Sequence, residues 1–162
     1  MRVLRHWPLI VIGLGICGCA QTQTEATADL TGDDTPAPPA ITLGDGKANW
    51  IKIADVRRNG AELIVPEVLI DADGWLVIHR FKDGKPYGKD YLAATFVNRG
   101  TNLDVPITLP EAPAPGTPML IMLHSDVNQD GQFDFVFVDE QNVLDKAVFE
   151  GSTMVAKIFQ AP

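Results

Sequence analysis

From Trp50 onward the chain breaks into short apolar and β-branched runs, each closed by a turn pair, and this rhythm admits little except antiparallel strands. Residues 50–56 alternate apolar and polar side chains, Asn59-Gly60 follows, and 62–70 resumes the pattern. Asn-Gly between two such runs marks a hairpin, because both central residues of a type I′ turn need φ > 0. Asp71-Ala72-Asp73-Gly74 and Asp83-Gly84 are further turns, and the run 75–81 between them is expected to be a central strand. Residues 91–97 read as another. The run 102–109 places Leu103, Val105, Ile107 and Leu109 on one face, and Pro106, which has no N–H, puts it at a sheet edge or points that position to solvent. Residues 111–118 form a proline-rich loop, and 119–124, 133–138 and 153–159 complete the strands. Residues 139–150 have room for a helical turn. Seven or eight short strands without a convincing amphipathic helix predict an all-β fold, an antiparallel β-sandwich over residues 46–162.

The sandwich must hold together without disulfides. Both cysteines, Cys17 and Cys19, lie near the N-terminus. Met1–Arg5 carries two arginines, residues 9–16 are apolar apart from two glycines, and Ile16-Cys17-Gly18-Cys19 follows. A basic start, a short apolar run and small residues before a cut are the marks of a secretory signal. The run is too short to span a hydrocarbon core, which takes about 20 residues. The four residues ending at Cys19 resemble a bacterial lipobox, which implies a signal peptide over 1–18 and a lipidated Cys19. The resemblance implies a diacylglyceryl thioether plus an N-acyl group (palmitate-type chains), enough for stable anchoring where one chain is not. The plainer alternative is an ordinary cleaved signal near Ala20. The lipobox predicts an exported lipoprotein in the cell envelope, at the outer membrane or cell surface, since no aspartate follows Cys19.

Residues 21–40 are polar and rich in Thr, Ala and Pro, with Leu30 their single large aliphatic residue. Such a stretch cannot bury enough surface to offset its chain entropy. The expected organisation is therefore a lipidated Cys19 and flexible stalk over 19–45, then the sandwich. Of 13 Lys and Arg, Arg2 and Arg5 precede Cys19, leaving 11 against 21 acids, a formal charge of −10. That excess of acid argues against nucleic acid or anionic headgroups as partners.

The richest local motif is Asp126-Val127-Asn128-Gln129-Asp130-Gly131-Gln132-Phe133-Asp134. Oxygens at positions 1, 3 and 5, glycine at 6, a backbone carbonyl at 7 (Gln132) and a carboxylate at 9 match the first nine positions of a calcium loop. Position 12 is Phe137, where a bidentate Glu belongs, and no helices flank the loop. The structural alternative is an Asx-rich hairpin turn. His79 and His124 both fall within expected strands, as a polar cluster able to grip a metal or as two packed, hydrogen-bonded rings. Zinc wants three or four ligands. A blue-copper centre needs a cysteine, and none follows Cys19. Ser125 and Ser152 are the only serines, and neither lies in G-x-S-x-G. A hydrolase using two carboxylates would need a pair that nothing singles out. Trp50, Trp75, Phe81 and Tyr87 read as a carbohydrate platform or as core, and Phe133, Phe135 and Phe137 as core.

Four blocks of residues and a final strand ending near Phe159 carry a wider resemblance: Asp73-Gly74-Trp75-Leu76-Val77-Ile78-His79; Asn102-Leu103-Asp104-Val105-Pro106-Ile107; Leu120-Ile121-Met122-Leu123-His124-Ser125-Asp126; and Gly131-Gln132-Phe133-Asp134-Phe135. In this order they resemble an uncharacterised family, known only as a domain of unknown function, in exported and surface-anchored proteins of halophilic archaea and bacteria. The resemblance implies an immunoglobulin-like sandwich outside the cell and transfers no catalytic residue. The expected function is thus a membrane-anchored, non-enzymatic lipoprotein presenting its sandwich for binding, adhesion or envelope structure. The alternative is a calcium-stabilised accessory domain built on Asp126, Asn128, Asp130, Gln132 and Asp134.

Overall fold

A computed structural model of the protein describes residues 39–139, 141–142 and 144–162. The signal, Cys19 and the stalk up to residue 38 lie outside the described residues. The strands are β1 (Thr42–Gly44), β2 (Trp50–Lys52), β3 (Arg57–Asn59), β4 (Glu62–Ile70), β5 (Gly74–Lys82), β6 (Lys85–Val97), β7 (Gly100–Thr108), β8 (Pro118–Ser125), β9 (Phe137–Val138), β10 (Gln141–Asn142), β11 (Phe149–Glu150) and β12 (Thr153–Gln160). No described residue is helical, so the helical turn expected within 139–150 is absent there.

Two sheets face each other in the expected β-sandwich. One runs β1-β12-β8-β5-β6, with β11 also on β12; the other centres on β4, which pairs with β2 and β3 along one edge and β7 along the other. Between them Leu63, Val65, Val68 and Ile70 of β4 meet Leu76 and Ile78 of β5, Ile121 and Leu123 of β8, and Val155 and Phe159 of β12. These strands form because alternate side chains share a face and that face leaves water.

Three departures from the expected pattern stand out. Leu103 is 68% exposed although Val105 and Ile107 of the same strand are buried. Pro66 interrupts the ladder of β4, and Asp104, across from it, sits at φ 47°. Past that break Val68 and Ile70 face the core, and Leu103, opposite Glu67, turns outward. Second, Thr42–Gly44, assigned to the stalk, pairs in parallel with Thr153–Val155, so the ordered domain begins before residue 46. Third, the run 133–138 is a strand only at its end, where Phe137 and Val138 pair with Asn142 and Gln141. Residues 133–136 instead lie across the outer face of the first sheet, as their aromatic contacts show.

That placement accounts for β5. Gly74 to His79 are all buried, because the strand is covered on both faces, as continuous apolar runs in central strands usually are. Leu76 and Ile78 face the inter-sheet core, while Trp75 and His79 face the layer laid over the sheet. Gly74 is required at the strand's start: a Cβ there would stand 2.2 Å from the His124 carbonyl oxygen.

Candidate functional site

The outer layer is where the chemistry-bearing residues gather. β5 and β8 pair antiparallel with Trp75 opposite His124 and His79 opposite Leu120, so both histidines project from the middle of the sheet onto one face. A bulge between Ile78 and His79 in the β5–β6 ladder sets Ala93 opposite Ile78 but Tyr91 opposite His79. The extra residue turns Tyr91 onto the outer face, a common use of bulges. Phe133 and Phe135 stack on one another at 5.6 Å and close the layer. Phe133 touches Trp75, Tyr91 and His124; Phe135 touches Tyr91, His79, His124 and Phe137. The alternation of Phe133, Phe135 and Phe137 does put them on one side, but against this outer face and not in the inter-sheet core.

Trp75 belongs to the same layer, edge-on to Phe96 at 5.2 Å, with its indole N–H buried and unpaired. Trp50 lies on the other sheet and donates to Glu67. The aromatic platform proposed from Trp50, Trp75, Phe81 and Tyr87 is therefore not assembled.

His79 and His124 are fully buried and stacked, with ring centroids 5.4 Å apart. The His79 Nδ1 lies 2.8 Å from the Asp90 carbonyl oxygen, and the His124 Nδ1 lies 2.6 Å from that of Asp145. A carbonyl only accepts, so each Nδ1 must carry the hydrogen. The two Nε2 atoms face one another at 3.3 Å. Burial lowers the pKa of His79, against the pull of the Asp90 carbonyl, and pushes that of His124 down to about 4. Both rings are thus neutral at pH 7, each with its Nε2 lone pair aimed at the other.

The segment 126–134 is a tight turn beside this layer. The Asp126 Oδ2 accepts from the Gly131 N–H at 3.0 Å, and Asp130 Oδ1 from the Gln132 N–H at 2.8 Å. The Asn128 amide donates to Asp130 and Asp134, at 2.9 and 3.2 Å. Gln129 and Gly131 both take positive φ. Asp126, Asn128, Asp130 and Asp134 are thus linked around one turn, whereas Gln132 joins only through its backbone. The Asp126 Oδ1 is buried without a partner. Phe137, at position 12, packs on Phe135 at 4.9 Å and offers no oxygen. Among the described residues no three His, Cys, Asp or Glu side chains converge closely enough to hold a metal ion. Asp145, which the sequence reading passed over, ties the turn down: its buried carboxylate accepts from the Val127 and Asp134 N–H groups. Desolvation raises its pKa, against the pull of those two bonds and with the help of nearby Asp126 and Asp134.

A groove of about 610 Å³ beside the turn is lined by Asp71, Asp73, Asp126 and Asp130, with Arg99. A second cleft, of about 420 Å³, lies under the proline-rich loop between Phe81, Leu92, Leu109, Pro113 and Met119, with Arg80 and Glu111 at hand. Arg80 pairs with Asp90 at 2.8 Å, and the loop is held by Arg58, which donates to the Pro113 carbonyl. No sequence signal marked this cleft; the prolines that shape it read only as a loop.

No curated protein and no solved structure matches the chain. Residues 49–160 match a family described as a domain of unknown function (DUF7282). The match spans the sandwich from Asn49 before β2 to Gln160 at the end of β12, and the chain belongs to this uncharacterised family.

Proposed function

We propose that this protein is an exported lipoprotein whose sandwich is a non-catalytic binding module for a partner in the cell envelope. Cys19 carries the anchor, the polar stalk follows, and the cleft under the loop 110–118 receives an apolar segment of the partner. One relationship supports this most: the cleft sits at the pole of the sandwich opposite to where the chain enters. The entering segment is fastened beside Asp71 and β11, where the Asn49 side chain accepts from the Asp71 N–H and Glu150 accepts from the Lys47 and Ala48 N–H groups. That pole holds the start of β5 and the end of β8, whereas the cleft is built on the end of β5 and the start of β8. Loops presented at the ends of a rigid sandwich are adaptable recognition surfaces.

Pull-down from intact envelopes with the full chain and with Ala112→Arg tests this. Ala112 is exposed and lines the cleft, so the arginine blocks the cleft without entering the core. A partner captured by the parent and lost by the variant supports the reading; equal capture by both rejects it. Mass spectrometry of the mature N-terminus tests the anchor, and an unmodified product beginning beyond Cys19 rejects it.

A second reading is favoured by the unpaired, buried Asp126 Oδ1: a calcium ion held by the 126–134 turn, stabilising the acidic groove. It predicts that EGTA lowers the melting temperature and that calcium restores it; an unchanged curve rejects it. A carboxylate hydrolase using this groove would show turnover that Asp126→Asn abolishes.

A further inference from the structure

We propose that the Nε2 atoms of His79 and His124 form a buried copper(I) site, roofed by Phe133 and Phe135. This is independent of the cleft and of the calcium reading. It begins with the hydrogen positions. Each Nδ1 donates to a main-chain carbonyl, Asp90 for His79 and Asp145 for His124. Two neutral imidazoles fixed in that tautomer have no hydrogen to place between their Nε2 atoms, yet those atoms stand 3.3 Å apart. Two lone pairs converging in an apolar enclosure are relieved by a cation between them.

The surroundings match what metal-bound imidazoles require. Ligating histidines characteristically donate their other ring N–H to a carbonyl or carboxylate, which fixes the ring and raises the basicity of the ligating nitrogen. Here both rings do so, to carbonyls on two separate segments. Two-coordinate copper(I) is near-linear, so at metal–imidazole bond lengths of about 2.0 Å the ion seats between the rings once the Nε2 atoms part from 3.3 Å to about 4 Å.

The donor set selects among ions. Calcium and magnesium take six or more oxygens, whereas the two atoms that face each other here are nitrogens. Structural zinc takes four protein ligands, and among the described residues no third His, Cys, Asp or Glu joins the pair. A closed-shell monovalent ion tolerates two or three soft or borderline donors and carries little charge to desolvate. Imidazole nitrogen is among the donors that suit copper. Phe135 lies 5.6 and 5.7 Å from the two imidazoles and Phe133 lies 5.5 Å from His124, an aromatic wall that excludes water and favours a cation. Binding forms two N–Cu bonds to neutral rings, releases no proton and changes no oxidation state.

The test is an anaerobic titration of the full chain with copper(I) buffered by a chromophoric chelator. The expected result is one equivalent bound, with His79→Phe and His124→Phe each weakening it by more than about 100-fold. Phenylalanine keeps a ring in the aromatic layer; should either variant fail to fold, imidazole ¹⁵N spectra of the parent protein decide. Copper(I) then shifts both Nε2 resonances and leaves each Nδ1 protonated. No uptake by the folded parent, binding that survives in both variants, ligation through Nδ1, a preference for zinc, or a shared proton that copper does not displace would each overturn the proposal.

Discussion

The buried carboxylate of Asp145 accepts the backbone N–H of Asp134 at 2.6 Å, while its own carbonyl oxygen accepts from the His124 ring. One residue thus holds the loop 126–134 and orients a histidine of the outer layer. Asp145→Ala leaves the part-buried N–H groups of Val127 and Asp134 without their acceptor and should destabilise the protein by about 3 kcal/mol, since bonds to charged groups are worth about 1.5–3 kcal/mol each. Asp145→Asn keeps one acceptor oxygen and should cost about half as much. Urea unfolding of both variants measures the difference. Hydrogen exchange at Asp134 should accelerate in Asp145→Ala, and equal protection in parent and variant would rule out this role.

Glu150 fastens the entering segment. Its carboxylate accepts from the Lys47 and Ala48 N–H groups and the Asn49 amide, and these bonds hold its pKa below the usual glutamate value. A carboxylate with a lowered folded pKa stabilises above its unfolded value and loses that contribution as pH falls through the folded one. Exchange at the Lys47 and Ala48 amides should therefore speed up as pH is lowered below about 4.3, beyond the intrinsic pH dependence. Glu150→Gln should remove the pH dependence and leave the amides poorly protected throughout.

Gly74 admits no side chain. A methyl group would meet the His124 carbonyl oxygen at 2.2 Å, on the backbone of the paired strand. Gly74→Ala should cost about 1–3 kcal/mol, the range for overpacking, and should disturb the β5–β8 ladder at the Gly74–Ser125 pair. Thermal unfolding measures the cost, and chemical shifts of Ser125 and Asp126 locate it.

Trp75 buries an indole N–H that has no partner. Trp75→Phe keeps an aromatic ring against Phe96 and Phe133 and removes the unpaired donor. The lost contact area and the relieved donor oppose each other, at about 1–3 kcal/mol for the latter. The variant should lie within about 1 kcal/mol of the parent, whereas Trp75→Ala should lose about 3–5 kcal/mol. Denaturant unfolding of the pair checks both.

Much of the strand layout was readable along the chain. Asp83-Gly84 closes its hairpin as expected, both residues at positive φ, because turn chemistry is local; the Asn59-Gly60 turn falls one residue later, with Asn59 paired to Glu62 and Gly60 alone at positive φ, and the run 50–56 is a strand only over Trp50–Lys52. Pro106 did mark an edge: β7 pairs with β4 alone. The run 133–138 misled for a physical reason. Period-two alternation reports that Phe133, Phe135 and Phe137 share a side; it does not say whether that side meets a facing sheet or lies over the back of a neighbouring one. The short pairings of 42–44 and 149–150 with β12 carry no apolar period and were invisible.

The sequence alone was enough to determine an all-β, disulfide-free domain and the approximate position of its long strands, since alternation, turn residues and cysteine count act over a few neighbours. Only the tertiary structure decided that His79 and His124, 45 residues apart, meet nitrogen to nitrogen. Their meeting depends on the register of β5 against β8, on the bulge that turns Tyr91 outward, and on carbonyls from two other segments. Each is a long-range pairing that becomes favourable only when the whole sheet and the aromatic layer above it have formed.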